Sequence, residues 1–215
     1  MKAESTVQPP LVWYVSYGSN MCSGRLTCYL SGGAPLAGRL AYPGCRDRRA
    51  PLRAIGYELA GSIYFATESA TWGGGRAFYD PELPGSAAAR AYLITSEQFA
   101  DIVAQEMYRA PGEDLDLTTV LTKRRMELGP GRYETLLYVG DLDGYPLLTF
   151  TAPWRAADVS WTPPSAPYLR VIIAGLRETY TWDDQRIARY LARVPGARGH
   201  WAPADIAALS PCDGT

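Results

Sequence analysis

The apolar run Leu11-Val12-Trp13-Tyr14-Val15-Ser16 ends directly on Tyr17-Gly18-Ser19-Asn20-Met21, and no other segment constrains the fold as much. The run is rich in β-formers and predicts a strand that leads into a glycine turn. Cys22 to Leu30 then predicts a short helix. A strand, a tight turn and a helix N-terminus gather backbone N–H groups at one spot, which suits a carboxylate or a developing oxyanion. Gly18 allows close approach of the backbone and an unusual φ. Ser19 and Asn20 are N-cap residue types that can also hydrogen-bond a ligand. The same residues also describe a plain strand–turn–helix junction capped by Ser19 or Asn20.

The rest of the chain narrows the chemistry. Its 215 residues suffice for one well-filled core. The formal net charge of −1 and the absence of a basic face argue against a nucleic-acid partner. Lys123-Arg124-Arg125 is the tight basic run, expected in the solvated last turn of a helix. No apolar stretch approaches the length of a membrane span, so no membrane partner is expected. Residues 1–10 are polar, lack an apolar signal core and are expected to form a disordered leader. A single domain is expected over residues 11–210, in the cytoplasm.

Cys22, Cys28, Cys45 and Cys212 form no C-x-x-C pair and read as idle thiols. His200 is the single histidine, which rules out a multi-histidine metal site within one chain. No metal-ligand spacing occurs, and neither a metal nor another cofactor is expected. Acid–base chemistry falls to a carboxylate, a tyrosine or a thiol.

Strands are expected at Leu36–Tyr42, Ser62–Thr67, Arg76–Tyr79 and Ala88–Ile94, with a surface loop at Cys45–Gly56. Thr95 or Ser96 caps a helix to about Tyr108, and Leu115–Leu128 predicts a further helix. Arg132–Val139 and Pro146–Thr151 flank Asp143-Gly144, a type I′ hairpin pair. Helices at Ser165–Glu178 and Asp183–Val194 and a turn at Pro203–Leu209 end the chain. Short strands with trailing helices predict an α+β fold, either a small mixed β-barrel or a strongly bent sheet flanked by helices.

Phe99, Ile102 and Val103 form an apolar stripe on the Thr95–Tyr108 helix, and Glu106 continues it. Asp101 and Gln105 fall off that stripe. A core-facing glutamate is costly unless it is paired or has a task. Either Glu106 shuttles protons, or it frays into water beside Arg109 at i+3.

The Tyr17–Met21 loop resembles the signature loop of the γ-glutamyl cyclotransferase-like family. Other segments resemble that family in the same order. Thr71-Trp72-Gly73-Gly74-Gly75-Arg76-Ala77 looks like its Trp-x-Gly-Gly-x-Ala segment. Ile102-Val103-Ala104-Gln105-Glu106-Met107 matches its Leu-Asp-x-x-Glu-Gly stretch at the glutamate and the first aliphatic, but has Val and Met for Asp and Gly. Gly131-Arg132-Tyr133 resembles a Gly-x-Tyr strand opening, and Pro163 to Tyr168 with Gly175 resembles a Pro-Ser-x-x-Tyr helix with its glycine.

The resemblance implies that Glu106 is the general acid/base. Tyr17, Gly18, Ser19, Asn20, Met21 and Tyr133 would bind substrate. The implied reaction is attack of a γ-glutamyl amide's own α-amine on its γ-carbonyl, giving 5-oxoproline and a free amine. The implied partner is a small γ-glutamyl or related amino-acid substrate, and a homodimer stays open. A segment at about 107–130 is inserted relative to compact family members and can reshape the pocket mouth. Two alternatives stay open: a lyase or amide hydrolase acting on a modified amino acid, and a non-catalytic small-molecule binder.

Overall fold

The computed structural model describes residues 10–34 and 41–209. Leu11–Ser16 (β1) lies inside a six-stranded sheet. A short 3-10 turn, Ser19–Met21, follows β1 and leads into Ser23–Ser31 (α1). Next come Arg53–Ala60 (β2), Ser62–Ala66 (β3), Arg76–Asp80 (β4) and Ser86–Thr95 (β5). Ser96–Glu106 (α2) and Thr118–Lys123 (α3) precede Arg125–Glu127 (β6), Thr135–Leu142 (β7) and Tyr145–Thr151 (β8). Helices Ala166–Thr179 (α4), Asp184–Arg193 (α5) and Pro203–Ala207 (α6) complete the described chain.

The large sheet has the order β2-β5-β1-β8-β7-β6. β1 pairs antiparallel with β5 from Leu11↔Thr95 to Ser16↔Arg90, and parallel with β8 at Trp13↔Leu147. Strands β3 and β4 pair with each other in a separate two-stranded sheet. The large sheet therefore stays open, with β2 and β6 at its edges. The fold is α+β with a bent, unclosed sheet flanked by helices, and the barrel alternative is not formed.

Burial on both faces explains the unbroken apolar run of β1. Trp13 and Val15 join one core with Leu169, Ile172 and Leu176 of α4 and Ile187 and Leu191 of α5. Val12 and Tyr14 join the other with Leu26 and Leu30 of α1 and Phe99, Ile102 and Val103 of α2. Each such side chain contributes about 1.5–3 kcal/mol on burial. β1 thus fixes two layers of helices against one strand, and the loop that follows it inherits that rigidity.

Local signals set most of the boundaries. Thr95 caps α2 in a capping box with Gln98, and the Ser165 and Asp183 side chains cap α4 and α5. Asp143 and Gly144 have φ of 52° and 81°, the left-handed pair that a two-residue type I′ turn needs.

Two sequence expectations are corrected, and a third falls mostly outside the described residues. The helix expected over Leu115–Leu128 shrinks to α3, because Arg124 turns left-handed with φ 64° and Arg125–Glu127 becomes an edge strand on β7. Lys123 alone of the basic run is helical. The loop expected over Cys45–Gly56 gives way at Arg53 to β2, which pairs along its whole length with β5, and Cys45 is buried. Of the strand expected at Leu36–Tyr42, residues 36–40 lie outside the described residues, and Tyr42 forms a lone bridge to Gly33. Residues 1–9 of the expected leader and Cys212 also lie outside them.

Candidate functional site

The loop after β1 is held from three sides. Arg90 Nη1 donates to the Met21 carbonyl at 3.0 Å. The Tyr92 hydroxyl bonds the Asn20 and Met21 carbonyls at 3.0 and 2.8 Å. Glu178 of α4 accepts from the Ser23 N–H at 2.9 Å, which caps α1 with a carboxylate from another helix. A Cβ on Gly175 would meet the Met21 Cβ at 2.5 Å, so the glycine lets α4 lie directly against the turn. The site backbone is thereby docked on the sheet and on α4 together.

Two local readings of the loop change. Gly18 has φ −121°, which any residue adopts. Its role is space, because a Cβ there would come within 3.3 Å of the Tyr168 hydroxyl oxygen. Neither Ser19 nor Asn20 acts as a side-chain cap. The Asn20 side chain reaches instead toward α2.

One pocket is lined by Tyr17, Gly18, Ser19, Asn20, Glu106 and Tyr133. Met21 is not in it. Its side chain is fully buried in the core beside α4. Trp72, Arg76 and Ala77 line the pocket from the glycine-rich turn, and Tyr168 lines it from α4.

Glu106 is the last residue of α2 and is half-buried. Arg109 does not take it up, because Arg109 pairs with Glu134 at 3.0 Å. Asn20 Nδ2 donates to Glu106 Oε1 at 3.0 Å and to the Tyr14 hydroxyl at 3.2 Å. A carboxylate only accepts, so the amide nitrogen must face Glu106. Asn20 Oδ1 is then left buried and without a partner among the described residues. An orphan acceptor beside a carboxylate suits a ligand that donates, such as an ammonium group.

The α2 stripe is wider than the sequence implies. Asp101 and Gln105 are buried, at 0% and 5% exposure. Asp101 accepts from the Arg46 backbone and guanidinium and from the Gly112 N–H, and Gln105 donates to the Tyr29 carbonyl. The helix is packed along its flank by the 45–46 segment and by α1, where the Asp101 carboxylate and the Gln105 amide nitrogen find partners.

Three tyrosines frame the floor. The Ala77 N–H donates to the Tyr168 hydroxyl at 3.2 Å, and the Tyr133 hydroxyl donates to the Ala77 carbonyl at 2.8 Å. The Tyr17 hydroxyl donates to the Phe150 carbonyl at 2.7 Å. Burial pushes Tyr168 up to about 12, with the nearby Glu106 charge adding to it despite the opposing Ala77 bond. Burial likewise raises Tyr133 well above 10.0. These hydroxyls are neutral donors at ordinary pH. The Tyr168 proton is not needed for the Ala77 bond, in which its oxygen accepts.

The segment over residues 107–130 reaches the pocket through Tyr108, and Arg132 lies over the Tyr108 ring at 4.2 Å. The rest of that segment supplies α3 and the edge strand β6.

Sequence reasoning missed Arg25. It lines the pocket but is only 5% exposed. Arg25 shares a helix face with Tyr29 at i+4, but Tyr42 and Trp72, which close over its guanidinium, come from distant segments that leave no local signal. The described pocket thus carries an acceptor pair, Glu106 and Asn20 Oδ1, together with the guanidinium of Arg25. His200 is exposed. Among the described residues no group of His, Cys, Asp and Glu side chains is placed to hold a metal, and no helix is long and apolar enough to cross a membrane.

No family model matches the chain. It is 30% identical over 201 residues to Histone deacetylase 5 of Arabidopsis thaliana, an alignment covering 85% of this chain and 30% of that protein. The chain thus spans under a third of that relative's length. Two solved structures are similar to it at 14% identity. An uncharacterized protein from Homo sapiens has a TM-score of 0.49 over 95% of this chain and 91% of the other. A gamma-glutamyl cyclotransferase has a TM-score of 0.48 over 95% and 90%.

Proposed function

We propose that this chain is a γ-glutamyl cyclotransferase-like enzyme that cleaves a γ-glutamyl amide into 5-oxoproline and a free amine. The observation that carries the reading is the Glu106 carboxylate, tied to Asn20 and sharing one pocket with the backbone of Tyr17 to Asn20. The signature-loop and glycine-turn segments support it, since both line that pocket.

Glu106 accepts a proton from the substrate's α-ammonium, and Asn20 Oδ1 accepts a second hydrogen bond from the same nitrogen. The freed amine attacks the γ-carbonyl carbon, forming the ring C–N bond. The tetrahedral oxyanion takes hydrogen bonds from the loop N–H groups and the Tyr168 hydroxyl. As the bond to the leaving amine breaks, Glu106 returns the first proton to that nitrogen. It then takes the second proton from the positively charged ring nitrogen and passes it on, so that 5-oxoproline leaves as the neutral lactam and the amine as its ammonium ion. Nucleophile and electrophile belong to one bound molecule, so ring closure gains from proximity. No protein nucleophile takes part. On this reading the partner is a small amino-acid derivative, the location is cytoplasmic, and the insertion shapes the side that receives the amine half.

A mass-spectrometric screen of γ-glutamyl dipeptides and γ-glutamylamines for 5-oxoproline tests it. Release that depends on intact Glu106 is expected. Binding of such ligands without release would sink the catalytic reading.

A further inference from the structure

We propose that Arg25 is the receptor for the substrate's free α-carboxylate, which leaves the Tyr17–Asn20 backbone to the oxyanion; the inference rests on the γ-glutamyl reading of the pocket.

The observations concern a cation in an unusual setting. Arg25 is 5% exposed, and its guanidinium lies over the rings of Tyr42, Tyr29 and Trp72 at 4.6, 5.0 and 5.4 Å. Nη2 donates to the Tyr42 hydroxyl at 2.5 Å and to the Tyr29 hydroxyl at 3.4 Å. Nε and Nη1 are buried and have no partner among the described residues. None of the ion pairs among the described residues includes Arg25.

A buried charge without a counterion is costly, and arginine is the side chain whose planar fork matches a carboxylate. The aromatic cage offsets part of that cost and fixes the plane of the fork. It does not satisfy the two open nitrogens. An anion entering the pocket would do so, and an α-carboxylate has two oxygens to offer them.

The partners of an α-amino-acid head then divide cleanly. The carboxylate meets Arg25, and the ammonium meets Glu106 and Asn20 Oδ1. Both groups line the same pocket without pairing with each other. The class of ligand is thereby defined as a γ-substituted glutamyl group whose α-carboxyl and α-amino groups are both free. An α-amidated glutamyl group or an N-acylated one lacks one of the two charges.

The experiment compares γ-glutamylalanine with its analogue carrying an α-carboxamide on the glutamyl unit, and 5-oxoproline with 5-oxoprolinamide. Turnover is measured for the first pair and calorimetric binding for the second. The wild-type protein should favour the carboxylate forms by about a hundredfold in kcat/KM and at least about tenfold in affinity. Arg25→Gln should remove most of that preference, because kcat/KM falls far more for the carboxylate substrate than for the α-carboxamide. Arg25→Lys should recover part of it.

Equal loss on both substrates, or a wild-type protein indifferent to the carboxylate, overturns the proposal. If no 5-oxoproline forms but the Arg25-dependent binding preference persists, the cyclisation reading falls and the Arg25 assignment stands. If neither 5-oxoproline nor its amide binds the wild-type protein, the Arg25 assignment is overturned. Should both variants fail to fold, the Arg25 Nε–H resonance of wild-type protein decides. It should shift on adding 5-oxoproline and not its amide, and the absence of a shift overturns the proposal.

Discussion

Asn20, on the loop after β1, donates from Nδ2 to Oε1 of Glu106, the last residue of α2, at 3.0 Å across 86 positions of sequence. The bond joins the two segments that the sequence marks for chemistry. It also fixes the amide's orientation, so that one side chain steadies the carboxylate with its nitrogen and offers the pocket its oxygen.

Glu106→Gln should keep the contact to Asn20, because the new side-chain oxygen still accepts. It cannot take an ammonium proton. Turnover of a γ-glutamyl substrate should fall at least about a hundredfold, with much smaller changes in affinity and melting temperature. Near-normal turnover in the variant would remove Glu106 from the reaction.

Asn20→Ala should separate positioning from chemistry. It removes both the tether on Glu106 and the orphan Oδ1. We expect a roughly 10- to 100-fold fall in kcat and about 1 kcal/mol of lost stability, since the Tyr14 contact goes too. Steady-state kinetics with a melting curve checks this. A stability loss with unchanged kcat would make Asn20 merely structural.

Gly18→Val should act through bulk rather than backbone strain. The added side chain is driven toward the Tyr168 hydroxyl, with the Cβ alone within 3.3 Å of its oxygen. Ligand affinity should drop more than about tenfold, while stability falls by about 1–2 kcal/mol. Calorimetry beside denaturant unfolding separates the two. Intact affinity would show that ligand does not approach the loop there.

Asp101→Ala should be a stability variant. The carboxylate is fully buried, and Arg46 bonds it with both its backbone N–H and its guanidinium. Removing it strands those donors and should cost about 3 kcal/mol. Turnover per folded molecule should hardly change. Unfolding curves and active-site titration provide the check, and a full loss of activity in folded protein would contradict the assignment.

High pH should unfold the protein. Burial raises Tyr168, with the Glu106 charge as a further cause, and raises Tyr79, each from 10.0 to about 12. The neutral hydroxyl is favoured in the fold, so this stabilisation is complete below pH 10. It fades as pH climbs through about 12. Tyrosinate absorbance and circular dichroism should change together in that window. Free titration of these tyrosines near pH 10 without unfolding would refute it.

The sequence disclosed what local chemistry decides. Asp143-Gly144 announced its hairpin, and Thr95, Ser165 and Asp183 announced their helices. β6 could not be read, because a three-residue edge strand is too short to show a period and gains its place from β7. The stripe on α2 drew attention to Glu106 but misjudged Asp101. The Asp101 partner, Arg46, sits 55 residues away and leaves no local trace. Arg25 escaped notice because an arginine on a helix ordinarily snorkels to water. Only the packing of Tyr29, Tyr42 and Trp72 around it shows that it does not.

Glu106 closes α2, and the 107–130 segment starts at the next residue. The helix on the near side of that junction is clamped to the sheet. Much of the chain on its far side rides on the sheet's edge, touching the pocket through Tyr108. Under the proposed function, proton transfer and the choice of leaving amine would belong to parts of the chain that meet at a single peptide bond. Lengthening, trimming or exchanging the segment after Glu106 would retarget such a protein without re-engineering its acid. A graft of that segment from a chain with another preference should carry the preference with it.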